Sequence, residues 1–368
     1  MHSTFRPDRH LLAAATLVAS VLVCGAATGA QRTFVASNGV DTNVCSILSP
    51  CRGFARAITQ TAAGGEIIVL DSAGYGIVTI DKSVSIIAPA GVYAGISVFA
   101  AQDGITIATP SIAVVLRGLN INGQGGNKGV AVNAPTVTLH LESIVIAGMG
   151  STGVSMLSGG GSLLVRDSMV RGNGAGGLVV AGARGGIDRT RIENNAGTGL
   201  ELQLEAWVTV SDSSVTQNGS HGIEADDSGP TGTYTQLSVQ GSTVTDNGGD
   251  GIKLTVVLAR TVVASVTRSV VARNFSNGVN ALATDTGFVY VTLDADTIEG
   301  NAQTGILAGC GLSNAGHVKL IASGNTVSRN SVGINVTFGD AHSLSNNLVY
   351  SNVADIIGAA FMTFGPAI

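Results

Sequence analysis

From residue 168 to residue 352 the chain repeats one pattern: a small polar residue, a β-branched residue, two variable positions, Asn, a short gap, then Gly and an aliphatic. One copy reads Ser213-Ser214-Val215-Thr216-Gln217-Asn218-Gly219-Ser220-His221-Gly222-Ile223, and the next reads Ser242-Thr243-Val244-Thr245-Asp246-Asn247-Gly248-Gly249-Asp250-Gly251-Ile252. The Asn recurs at Asn173, Asn195, Asn218, Asn247, Asn274, Asn301, Asn330 and Asn352, with gaps of 22, 23, 29, 27, 27, 29 and 22 residues. A period of that length marks a solenoid, whose repeats bury their apolar side only by stacking on one another.

Within each repeat the apolar residues alternate, as in Trp207-Val208-Thr209-Val210 and Tyr290-Val291-Thr292-Leu293. Alternation over short segments is the signature of a strand. From Glu66 onward such segments follow one another: Ile67 to Leu70, Ile77 to Ile80, Val84 to Ile87, Ile105 to Ile107. Three of them fill one coil. The span from residue 66 to residue 352 holds about eleven coils at a period near 25 residues, a rod on the order of 50 Å long. Coils of unequal length exclude a strict hexapeptide solenoid. The expected fold is an all-β, right-handed parallel β-helix over residues 66–368. Only 4% aromatic residues beside 51 Gly agrees with layers of small, uniform side chains.

Two segments precede the coils. In residues 1–30, Arg6, Arg9 and His10 lead an apolar run from Leu11 to Val23 and small residues ending at Ala30. That reads as a signal peptide, because the run is too short to span a bilayer; Val23 before Cys24 argues against a lipoprotein. Residues 31–65 are expected to cap the first coil. They comprise a strand at Thr33 to Ser37, a loop closed by a Cys45–Cys51 disulfide, and an amphipathic helix capped by Ser49 and halted by Gly64-Gly65. Cys310 is expected as a partly buried free thiol. Cleavage removes Arg6, Arg9 and Asp8, leaving 17 basic and 23 acidic residues, a net charge of −6. That balance argues against nucleic acid as a partner. No later apolar stretch is long enough for a membrane span, so a secreted or periplasmic product is expected.

On these features the chain resembles the pectate-lyase-like superfamily, and in particular the right-handed β-helix repeat proteins of bacterial secretions. The resemblance rests on the start from Thr33 through Cys45 and Cys51 to Gly64-Gly65-Glu66-Ile67, on Ile77-Val78-Thr79-Ile80-Asp81-Lys82-Ser83, and on the Asn-x-x-x-Gly-Ile repeats. It implies architecture more than activity, since lyases, hydrolases, epimerases, adhesins and tailspikes share the fold. Their catalytic signatures are not reproduced: Ser220-His221-Gly222 and Gly251-Ile252-Lys253 stand outside the polygalacturonase-like setting, and no Pro precedes His.

The Asn series is expected to form a structural ladder, each amide bonding to the Asn of the next coil. Gly222, Gly251 and Gly278 are expected to supply special backbone angles at that corner. Function is sought instead on the strand after each Gly-aliphatic. Its outward positions run Val179, Glu201, Glu224, Lys253, Asn280, Leu307 and Asn335, with a second column of Ala181, Gln203, Asp226, Thr255, Leu282, Gly309 and Thr337. Glu201, Glu224, Asp226 and Lys253 are the candidate site, on rows about 4.8 Å apart. Trp207, Asp227 and Tyr234 are candidate ligand contacts around the loop Asp226 to Tyr234. No cofactor is implied; stacked carboxylates are a setting that Ca²⁺ exploits, but no residue pattern here requires the ion.

Three functions fit these features. The first is a non-catalytic exported protein that binds polysaccharide or cell-surface glycan, or serves a surface-structural role. The second is a polysaccharide lyase or glycoside hydrolase, with Glu224 or Asp226 as acid or base and Lys253 neutralising charge. The third is an adhesin or assembly subunit.

Overall fold

A computed structural model describes residues 2, 29–227, 229–310, 317–337, 340–358 and 362–363. The leader expected over residues 1–30 lies almost wholly outside them. Strands stack into three parallel sheets of 14, 12 and 12 members. The first sheet runs from Ala30–Val35 to Met362–Thr363, the second from Val78–Ile80 to Ala354–Gly358, and the third from Ala73–Gly74 to Leu348–Tyr350. One coil visits all three: Leu200–Gln203 in the second sheet, Trp207–Ser211 in the first, Ser214–Thr216 in the third. The molecule is therefore a β-solenoid of about eleven turns.

Alternation sends every second side chain inward, and parallel register stacks like upon like. Leu200, Ile223, Ile252, Val279, Ile306 and Ile334 form one such column, all buried. Burial of this kind contributes about 25 cal/mol per Å² of apolar surface.

The helix is shorter than the sequence predicts. It spans Phe54–Gln60 with Gly53 at its N-cap, not Ser49. The chain before it is already committed elsewhere: the Cys51 N–H donates to the Phe34 carbonyl, and the Asp41 carboxylate accepts the N–H groups of Arg52 and Gly53. The stop is also earlier, because Thr61 to Val69 is a strand that contains Gly64 and Gly65. Phe54, Ala57 and Ile58 are the buried side of the helix, and Phe54 meets Tyr75 with ring centres 5.3 Å apart. A disulfide joins Cys45 to Cys51 just before the helix, and Cys310 is a buried free thiol.

The eight Asn side chains form one continuous line. Each Oδ1 accepts both the backbone N–H and the Nδ2–H of the Asn in the preceding coil, as Asn247 does from Asn218 at 3.1 and 3.0 Å. The line starts where Asn173 accepts the Met149 N–H and ends where Asn352 donates to Asp355. The repeat glycines serve it differently from expectation. Gly222, Gly251 and Gly278 are not left-handed; a Cβ on Gly222 would lie 2.7 Å from the Asn247 Nδ2 and 2.6 Å from the Gly251 carbonyl oxygen. They are glycines because the next coil's amide passes too close for a side chain. The left-handed residue is the one before each Asn, such as Gln217, Asp246 and Arg273.

A second polar ladder runs along the opposite end of the third-sheet strands. Its hydroxyls and amides, Ser168, Thr190, Ser213, Ser242, Ser269, Asp296, Asn325 and Asn347, each accept the backbone N–H one coil earlier. All eight stand five residues before an Asn of the first ladder, at the opening of the repeat, and five of them are Ser or Thr. Asp296 takes the place of a Ser and leaves its Oδ2 buried without a hydrogen bond.

Candidate functional site

The second sheet presents the site. Its parallel register places Glu201 beside Glu224, Glu224 beside Lys253, and Lys253 beside Asn280. All four are half-buried, since they stand between the side chains of flanking coils. The Lys253 Nζ donates to the Glu224 Oε1 at 2.8 Å. Glu201 accepts from the Gln203 amide at 2.5 Å, and Thr198 donates its hydroxyl to Glu224 at 3.4 Å. Asp226 and Thr255 are paired in the second column. The four candidates thus converge on one face, and two are directly bonded.

The structure adds His221 and Asp250, which stand in the turn entering the second sheet. The His221 Nδ1 accepts the Asp250 backbone N–H at 3.0 Å, and its Nε2 lies 3.4 Å from the Lys253 Nζ. The Asp250 carboxylate accepts from the Asn277 backbone and amide through Oδ1 and from the Asn280 amide through Oδ2. A chain of polar contacts therefore links Glu224, Lys253, His221, Asp250 and Asn280 across three coils. Beneath this face two buried atoms, the Thr255 Oγ1 and the Asn280 Oδ1, have no hydrogen-bond partner among the described residues.

Burial sets the protonation pattern. It raises Glu201 above the ordinary carboxylate range, opposed by the Gln203 hydrogen bond, and raises Asp226 with help from the negative charge of Glu224. It pushes His221 down, favouring neutral imidazole. Burial also works against the charge of Asp250, but hydrogen bonds from Asn280, Ser276 and Asn277 outweigh it and hold that carboxyl low. The face so offers acceptors, amide donors and one ammonium, with carboxyls whose proton affinities are pulled apart. Among the described residues no group of three or more His, Cys, Asp or Glu is placed to hold a metal ion.

The three candidate contacts near the loop fall out differently. Trp207 is sandwiched: the Arg184 guanidinium lies 3.8 Å from its ring centre and Tyr234 4.8 Å away. Its indole N–H donates to the Tyr234 carbonyl. With both ring faces covered, Trp207 offers an edge rather than a stacking platform. Tyr234 is 41% exposed. Asp227, expected to contact ligand, is wholly buried instead. It accepts from the Gly229 N–H and the Thr233 hydroxyl, so it shapes the loop from within.

Residues 103–257 match the family model described as the right handed beta helix region. Solved structures share the whole architecture. The A-module of the Azotobacter vinelandii mannuronan C-5 epimerase AlgE4 superposes with a TM-score of 0.61 at 14% identity, over 82% of this chain and 91% of that one. The AlgE6 A-module of the same organism gives 0.57 at 14% identity, with the same coverage of 82% and 91%. XylC in complex with xylose gives 0.51 at 9% identity, over 72% of this chain and 69% of that one. No curated protein sequence matches the chain. The chain is a right-handed parallel β-helix. More particularly, its fold is shared with the two mannuronan C-5 epimerase A-modules.

Proposed function

We propose that this protein is an exported glycan-binding β-helix whose binding face is the second sheet from Glu201 to Asn280. The observation that carries the reading is the polar row itself. Half-buried carboxylates, amides and an ammonium line one face at coil spacing. Sugar hydroxyls both donate and accept, so they complement such a row. Lys253 is already neutralised by Glu224 and the other carboxyls are acidic, so a neutral glycan fits better than a polyuronate. Solved neighbours that act on mannuronan or hold xylose support a saccharide partner. The leader and the Cys45–Cys51 disulfide support export; no helix of the described residues is long and apolar enough to cross a membrane. A glycan array tests the reading: the native chain binds a neutral glycan, and a Glu224→Gln, Asn280→Ala double variant that keeps its β circular dichroism loses it. Retention of binding by that variant sinks it.

The raised carboxyls of Glu201 and Asp226 favour a second reading, glycan cleavage on the same face with Asp226 as acid and Glu224 as its partner. New reducing ends or unsaturated products from a polysaccharide panel, abolished by Asp226→Asn, would select it; no product from any of them removes it.

A further inference from the structure

We propose that the corner where the coils turn from the second to the first sheet, beneath the loop at residues 229–234, is a pocket for an acetylated sugar residue. Two adjoining hollows of about 380 and 500 Å³ open there and share Gly160, Gly182 and Glu205. Both volumes are of the size that small-molecule sites occupy. The larger hollow has an apolar floor of Leu157, Ala181, Leu204 and Pro230. The smaller is walled by Arg184, Trp207 and Tyr234, with the Arg184 guanidinium over the Trp207 ring and the Tyr234 ring tilted against it.

The backbone shapes the wall of this corner. Two coils turn here through a left-handed glycine, Gly160 at φ 72° and Gly182 at φ 69°. The next coil turns through two successive left-handed residues that are not glycine, Leu204 at φ 51° and Glu205 at φ 65°. Left-handed backbone is unfavourable for a residue with a Cβ, although this chain adopts it at many of its turns. Here it places one apolar and one charged side chain on the wall of the same hollow, over a floor that the two glycines keep clear. Leu157 and Leu204 are 46% and 42% exposed, so the floor is open to a ligand.

An acetyl group matches this division. Its methyl suits the leucine-lined side of the larger hollow, where Glu205 is the one polar side chain, while its carbonyl and neighbouring N–H or hydroxyl meet Arg184 and Glu205 on the rim. Gln203 immediately precedes Leu204 and bonds Glu201, so a chain lying along that strand from the polar face runs into the hollow. The inference rests on the glycan reading above but names a different subsite.

Trp207 is the only Trp of the chain, so its fluorescence reports occupancy of the pocket. Triacetylchitotriose and acetylated xylotriose are titrated against cellotriose and unacetylated xylotriose. An acetylated ligand is expected to bind at least about tenfold more tightly than its bare counterpart, and whichever of the two does so identifies an N-acetyl or an O-acetyl group. Leu204→Gly is expected to weaken that binding by about tenfold while raising the melting temperature by about 2–4 °C. Glu205→Gln, which keeps the shape, should weaken it with no change in melting. Equal affinities for acetylated and bare sugars, unchanged affinity in Leu204→Gly, or no binding of either acetylated probe would overturn the pocket. Glu224→Gln separates the two readings. Bare sugars lost in that variant, with no acetyl preference, leave the face standing and the pocket wrong; acetylated sugars bound as tightly in it leave the pocket standing and the face wrong.

Discussion

The Lys253 Nζ sits 2.8 Å from the Glu224 Oε1 and 3.4 Å from the His221 Nε2, joining a carboxylate, an ammonium and an imidazole from two successive coils. The Glu224 side chain is 18% exposed and that of Lys253 29%, so neither charge is fully solvated. Removing one partner leaves the other facing a half-dry surface. Lys253→Met is expected to destabilise the chain by about 1–2 kcal/mol, and Glu224→Gln with Lys253→Met to recover most of that loss. Chemical denaturation of the two variants checks it.

His221 should give the acid side of the stability profile a visible step. Burial lowers its folded pKa beneath the unfolded value, so its neutral form contributes stability that is complete above about pH 6.5 and is lost as pH falls through the lowered value. His221→Gln keeps a neutral polar group there. The native chain is expected to lose melting temperature between about pH 6.5 and 5, and the variant to lose less over that window.

Asp296 acts with the opposite sign. Burial in the second ladder raises its carboxyl to about 7, and its Oδ2 has no hydrogen bond. The protonated form is the one the fold tolerates, so stability is full below the unfolded carboxyl value and is lost as pH rises through about 7. Asn325 already fills the same column one coil later, which makes Asn an acceptable replacement. Asp296→Asn is expected to stabilise by a few kcal/mol at pH 8 and by little at pH 4. Melting curves at the two values decide it.

The Asn ladder predicts a gradient. The Asn247 Oδ1 accepts two donors of Asn218, and its Nδ2 donates to Asn274 and to the Val215 carbonyl, all within the core. Asn247→Ala therefore orphans several buried groups and is expected to cost about 2–4 kcal/mol. Asn352 closes the ladder at a partly exposed end, where water replaces the lost bonds, so Asn352→Ala should cost about 1 kcal/mol or less. Urea unfolding that ranks the two the other way round contradicts the ladder's role.

What was legible in the sequence follows from which interactions repeat. The three-strand coil and the Asn line recur every 22 to 29 residues, and a side chain that must meet its own kind in the next coil writes itself as a period. The second ladder opens every repeat too, but Ser, Thr, Asp and Asn alternate in it, so its shared role as acceptor is hidden by changing identity. Outward residues were readable from strand parity alone, which brought Glu201, Glu224, Asp226 and Lys253 to one face. His221 and Asp250 escaped because they lie in a turn, where parity fixes nothing. The helix start was misjudged for a related reason: Asp41, which holds the N–H groups of Arg52 and Gly53, is 11 and 12 residues away and invisible to local capping rules. Nothing in the strand of Trp207, a candidate ligand contact by sequence, says that Arg184 and Tyr234 close over it.

The central claim, a glycan seated on the second sheet, is tested most directly by a crystal structure of the protein with the tightest-binding oligosaccharide from the array. The account predicts sugar density across coils 201 to 280, with hydroxyls bonded to the half-buried carboxyl groups of Glu201, Glu224 and Asp226. Density confined to the first or third sheet, with none against those carboxyl groups, would contradict it.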